Sequence, residues 1–251
     1  MTNTTDNPNT EPMSRMRRIA LTGGVLYLIT FAASIPQLAL FHDVINDENY
    51  ILGTASNTPL LVGCVLEIVT AAAGIGTAIA LYPVTRRVSR SAAIGFITSR
   101  VVEGTLIVVG VMSLLALVTL QDDLAGASGA RADALAVTGQ ALVALRQWTF
   151  LLGPGIIPAV NALFLGYVLY RARLVPRILP AIGFAGVPLL LTSAVVTIFG
   201  GWDQVSAAAA LLALPIALWE FSLGVWLTVK GFRQPAAPAV SARIGEALAL
   251  D

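Results

Sequence analysis

Six long apolar stretches, with connectors between them that alternate in charge, constrain this chain more than any other feature. A bilayer core takes about 20 apolar residues per helix. The stretches that meet this are 19–41, 60–82, 92–119, 141–170, 179–200 and 204–229. The first follows the basic run Arg15, Arg17 and Arg18. Its apolar part is too long for a signal peptide, whose apolar core runs to about 7–15 residues, so it reads as a retained anchor. Composition agrees. Only 12% of residues are charged and 57% are hydrophobic, where a soluble domain carries about a quarter charged residues.

The connectors set a direction. Arg15, Arg17 and Arg18 precede the first span, and Arg86, Arg87 and Arg90 lie between the second and third. Arg171, Arg173 and Arg177 lie between the fourth and fifth, and Lys230, Arg233 and Arg243 follow the sixth. The other connectors hold Asp43, Asp47, Glu48, Asp122, Asp123, Asp133 and Asp203, with Arg131 alone opposing them. By the positive-inside rule the basic side is cytoplasmic. The expected fold is therefore all-α: a polytopic membrane protein, a six-transmembrane-helix bundle with both termini cytoplasmic. Residues 15–233 form the transmembrane domain. Residues 1–14, polar with Pro and Asn, read as a disordered tail, and 234–251 as a cytoplasmic C-terminal tail. The Ala/Gly-rich stretch 120–140 reads as a plain outer loop.

Several chemistries are disfavoured at once. A net charge of +1 suggests no nucleic-acid partner. Cys64 is the single cysteine, so an internal disulfide is impossible and a cysteine-based metal site is not expected. His42, the single histidine, lies at a span end among acids and reads as an interfacial polar residue. No metal and no cofactor is expected.

Five ionisable residues fall inside the spans: Glu67, Arg100, Glu103, Arg146 and Glu220. Each costs about 2.5–3.5 kcal/mol at the centre of a lipid-facing helix, so such groups face protein or water and pair. A rise of about 1.5 Å per residue gives their depth. Arg100 and Glu220 each lie ten positions in from a basic connector, roughly 15 Å deep. Glu103 is about 20 Å deep and Glu67 about 23 Å, while Arg146 is near the opposite end of its span. The expectation is a layer with Arg100 facing Glu220, Glu103 and Glu67 above it, and Arg146 reaching down. Arg100 and Glu103 can also neutralise each other, being three residues apart on one helix. Small residues share the charged faces: Gly63, Gly74 and Ala78 with Glu67, Ala213, Ala217 and Gly224 with Glu220, and Gly104 and Gly110 with Arg100. They allow either close helix contact or a cavity. Three carboxylates against two guanidiniums leave one acid in excess, suited to carrying a proton, to acid catalysis or to hydrogen-bond donation.

The fourth span contains GPGIIP, residues 153–158. Pro154 and Pro158 remove backbone donors, so the helix should kink or break there. Broken helices at membrane depth line protein or water-filled cavities and often mark binding sites. Asn161, one turn on, is placed to satisfy a freed carbonyl or touch a ligand. Trp148, Trp202, Tyr27, Tyr50, Tyr82 and Tyr170 read as interfacial anchors, and Trp219 and Trp226 as packing residues.

GGVLYLITF in the first span, ALYPVTRR after the second and RVVEG in the third carry a resemblance. So do LLGPGIIPAVNALFLGYVLYRARLVPRILP and LPIALWEFSLGVWLTVKGF. The chain resembles a group of bacterial six-helix membrane proteins known as domain of unknown function 4386. The resemblance implies that topology, a bacterial inner-membrane location, and a family pattern that includes Arg100, Glu103 and Glu220. It implies no activity. Three readings follow from the residues. One is a binder or carrier of a lipid or hydrophobic small molecule, using Arg100, Glu103, Glu220, Glu67, Arg146 and Asn161. Another is an intramembrane isomerase or cyclase acting on an isoprenoid or lipid, with Glu103, Glu220 or Glu67 as acid or base. The last is a structural or sensor subunit. Membrane lipids are the expected partners.

Overall fold

A computed structural model of the chain describes residues 15–47, 50–53, 56–123 and 126–233. The expectations for the tails 1–14 and 234–251, and for Glu48, lie outside the described residues. In chain order the helices are α1 (Arg15–Leu40), α2 (His42–Asn46), α3 (Thr58–Val88), α4 (Arg90–Asp123), α5 (Ala130–Leu152), α6 (Ile157–Arg171), α7 (Ile178–Ile198) and α8 (Ala207–Val229). A 3-10 turn, Tyr50–Leu52, follows α2. Six spans are long and apolar enough to cross a membrane, α5 and α6 together making the fourth. The protein is an all-α, multi-pass membrane protein, and no strand occurs among the described residues.

The stretch 120–140 is not the loop expected. α4 continues to Asp123 and α5 starts at Ala130. Alanine is the best helix former, so the Ala-rich lead-in extends the fourth span beyond its apolar part. Leu135 and Gly139 are buried, and a Cβ on Gly139 would meet Ile51 of the 3-10 turn. Gln121 secures that turn by donating to the carbonyls of Tyr50 (3.1 Å) and Gly53 (2.7 Å).

Each span packs on its neighbours in sequence, and α1 packs on α8, which closes the bundle into a ring. The closure is tight at the end bearing the basic connectors. A Cβ on Gly24 would stand 2.6 Å from the Thr228 backbone nitrogen and 2.8 Å from the Gly224 carbonyl oxygen. Arg17 adds a polar tie by donating to the carbonyls of Leu227 (2.9 Å) and Thr228 (2.7 Å), part of the orphan row at the end of α8.

Two apolar cores result. The basic-end core gathers Tyr27, Leu81, Phe96, Leu165, Leu190 and Trp219, from α1, α3, α4, α6, α7 and α8. The acidic-end core gathers Phe41, Ile51, Leu60, Leu114, Leu117 and Leu135, with nothing from α7 or α8. The break at 153–156 explains the difference. α6 packs inside the ring against α4 and α7, whereas α5 packs on α4 and the 3-10 turn. The fourth span fills the ring at the basic end and lies to one side at the acidic end.

Candidate functional site

The five intramembrane charges form two clusters. In the lower one Arg100 extends from α4 and uses both arms of its guanidinium. Nη1 donates to Glu103 Oε2 (3.0 Å) and Nη2 donates to Glu220 Oε1 on α8 (2.5 Å). Asn161 on α6 donates to the same Glu103 oxygen (2.8 Å) and accepts from Ser99 Oγ (2.6 Å). Ser99, Asn161, Glu103, Arg100 and Glu220 thus form one hydrogen-bonded chain across three helices. In the upper cluster Arg146 Nη2 on α5 donates to Glu67 Oε1 on α3. Among the described residues each arginine leaves its Nε without a hydrogen-bond partner, and the upper cluster also leaves Glu67 Oε2 without one.

Both guanidiniums lie between aromatic rings. The Arg100 guanidinium carbon is 5.2 Å from the Tyr27 ring centre and 5.7 Å from that of Phe96. That of Arg146 is 5.3 Å from Phe41 and 4.9 Å from Phe150. Ring faces are electronegative and attract a desolvated cation. Glycine makes room for the long side chains, since a Cβ on Gly110 would lie 3.0 Å from Arg146 Cδ.

Above the lower cluster is a cavity of about 1120 Å³, with Glu67, Arg100, Glu103, Arg146 and Glu220 in its wall. It occupies the space that α5 leaves beside α7 and α8. Apolar wall comes from Phe31, Ile35, Leu38, Leu190, Ala213 and Ala217. α1 and α8 stay in contact as far as Phe31 and Phe221, whose rings meet edge to face at 5.5 Å. Beyond that point Ile35 and Leu38 line the cavity and are 63% and 55% exposed. Exposed wall residues thus lie between α1 and α8 and also at the acidic end, where His42, Asn46, Asp203 and Val205 border the cavity. Pro36 and Pro215 lie in these parting segments, where a missing backbone bond lets a helix bend. The α7–α8 connector edges the acidic end. With its amide turned to suit both neighbours, Gln204 donates to the Gln147 carbonyl (3.2 Å) and accepts from the Leu151 N–H (2.7 Å).

The depth count expects Arg100 opposite Glu220, and the two touch. It expects one layer, and the structure divides it, because Arg146 meets Glu67 alone. Asn161 bonds Glu103 rather than a carbonyl freed by the break, and it is fully buried behind the carboxylate, off the cavity wall. Tyr27 is not an interfacial anchor. Twelve residues past Arg15, it is about 18 Å along the helix, and it is fully buried against Arg100. Trp219 packs on Gly183, while Trp226 takes the Arg233 guanidinium on its face. The aromatic partners escape a reading that follows charges alone. Their signal is spacing: Phe96 with Arg100, and Arg146 with Phe150, are each four residues apart on one helix. His42 is exposed and contacts Asp43 at 3.2 Å. Among the described residues no group of three His, Cys, Asp or Glu side chains is placed to hold a metal ion.

Fold and charges together define a six-span membrane bundle whose paired intramembrane arginines and carboxylates border a cavity. Residues 22–231 match the family described as Domain of unknown function (DUF4386), and the chain belongs to that family. No curated protein and no solved structure matches the chain.

Proposed function

We propose that the cavity binds a lipid or hydrophobic small molecule, with the guest's polar end at the Arg100, Glu103 and Glu220 cluster and its apolar part along α1 and α8. The observation that carries this reading is the cavity itself, about 1120 Å³ of space directly above a charged floor. A layer that served only to fix helix register needs no such space, because small residues let helices close over it. Binding is favoured over catalysis because every carboxylate in the layer already accepts from an arginine. A neighbouring guanidinium favours the ionised form of a carboxyl, which makes it a weaker base and a less ready source of a proton near neutral pH.

The same reading places the protein in a bacterial inner membrane with the basic connectors and both termini in the cytoplasm. Residues 15–233 are then the transmembrane domain, and the cavity lies in the outer half of the bilayer. The test is a thermal-stability screen of purified protein against lipids and hydrophobic metabolites, with wild type beside Glu220→Gln. The expected result is stabilisation of wild type by one chemical class, reduced in the variant. No stabilisation by any compound, with Glu220→Gln merely lowering Tm, would overturn the reading.

A further inference from the structure

The guest's charge follows from which ends of the ion pairs face the cavity. Its wall carries six formally charged groups, four acids (Glu67, Glu103, Asp203, Glu220) and two bases (Arg100, Arg146). At the Arg100 cluster the acids are also the more available: the side chains of Glu220 and Glu103 are 12% and 10% exposed, against 5% for Arg100, whereas Glu67, at 3%, is less exposed than Arg146, at 6%. At Arg100 the rings of Tyr27 and Phe96 cover the guanidinium, which presents little surface to the cavity. Glu220 faces Arg100 and Glu103 of α4 and Tyr27 of α1, and its side chain, 12% exposed, lies in the cavity wall.

We infer, on the reading that the cavity binds a guest, that the guest is an amphipathic monocation such as a lipophilic amine. Its cationic head lies on Glu220 and Glu103, and its apolar tail passes between Ile35 and Leu38 of α1 and Ala213 and Ala217 of α8. One positive charge balances the excess carboxylate of the layer, three acids against two arginines. An anionic head would have to displace a carboxylate from Arg100 and stand beside the remaining acids, and like-charge repulsion grows as the dielectric constant falls. A neutral head leaves the excess charge unbalanced.

Three probes with the same decyl chain separate these cases: decyltrimethylammonium, decanol and decanoate. Binding is measured at neutral pH to the full chain in nanodiscs of zwitterionic lipid, with empty nanodiscs subtracted. The cation is expected to bind about tenfold or more tightly than the other two, a ratio worth about 1.4 kcal/mol. Glu220→Gln should bring the cation down to the level of decanol, and Glu220→Asp should keep the preference. Ala217→Trp, which puts a ring into the tail path one turn from Glu220, should weaken saturable binding of all three. Equal or tighter binding of decanol or decanoate to wild type overturns the assignment of charge and leaves the cavity reading standing. Failure of every probe to saturate overturns both. Should Glu220→Gln not fold, the wild-type ranking and Glu220→Asp decide the question.

Discussion

Arg100 holds carboxylates from two helices, so its loss should be costly. Arg100→Ala strands Glu103 and Glu220 in a buried site, where removing one partner of an ion pair typically costs about 3–5 kcal/mol. Arg100→Lys should also destabilise, since an ammonium lacks the fork that reaches two acceptors and the flat face that stacks between Tyr27 and Phe96. Asn161→Ala leaves Glu103 and Ser99 short of a partner and should cost about 1–3 kcal/mol. The buried Cys64 is the only cysteine, so its reaction with a thiol dye on heating reports unfolding in all three variants. Midpoints equal to wild type would contradict these assignments. At this scale the sequence is a good guide to the charges and a poor one to their surroundings. Span length and helical rise fix a residue's depth, so Arg100 and Glu220 can be matched by counting along their spans. Nothing in the sequence says how a helix is rotated about its axis. Hence Tyr27 passes for an anchor, and Asn161 for a residue facing a guest.

Among the elements, the interrupted fourth span and the α1–α8 closure shape the site together. GPGIIP signals the break plainly, because two prolines and two glycines cannot continue a helix at that spacing. It does not signal that α6 turns into the ring while α5 stays outside, which depends on long-range packing. The closure is equally hidden, because Gly24 and Gly224 acquire meaning only when the first and last spans meet. Gly24→Leu should force α1 from α8 against backbone atoms of Thr228 and Gly224. The Cys64 assay should show a clear fall in Tm for Gly24→Leu. The neighbouring Val25→Leu, at a position 39% exposed, should be close to neutral. Equal effects of the two substitutions would mean that the contact between the two glycines does not hold the ring.

For the whole molecule, alternating connector charge makes six spans legible from sequence, and four basic segments agree on direction. A fluorescent protein that matures only in the cytoplasm, fused after Asp251, should fluoresce. An enzyme reporter active only outside, fused within 200–206, should be active. The reverse pattern would invert the topology and place the cavity in the inner half of the bilayer. The existence of a cavity is the property least visible in the sequence, because the same small residues permit close packing or open space. It is therefore the claim to test most directly. Native mass spectrometry of protein released gently from its own membrane should show one small molecule retained per chain. The adduct should be reduced in Ala217→Trp, which puts a ring into the tail path beside Glu220, and kept in Leu218→Trp, at a position 51% exposed on the lipid-facing side. An adduct absent from wild type, or retained equally by both variants, would contradict a binding site above Arg100 and Glu220.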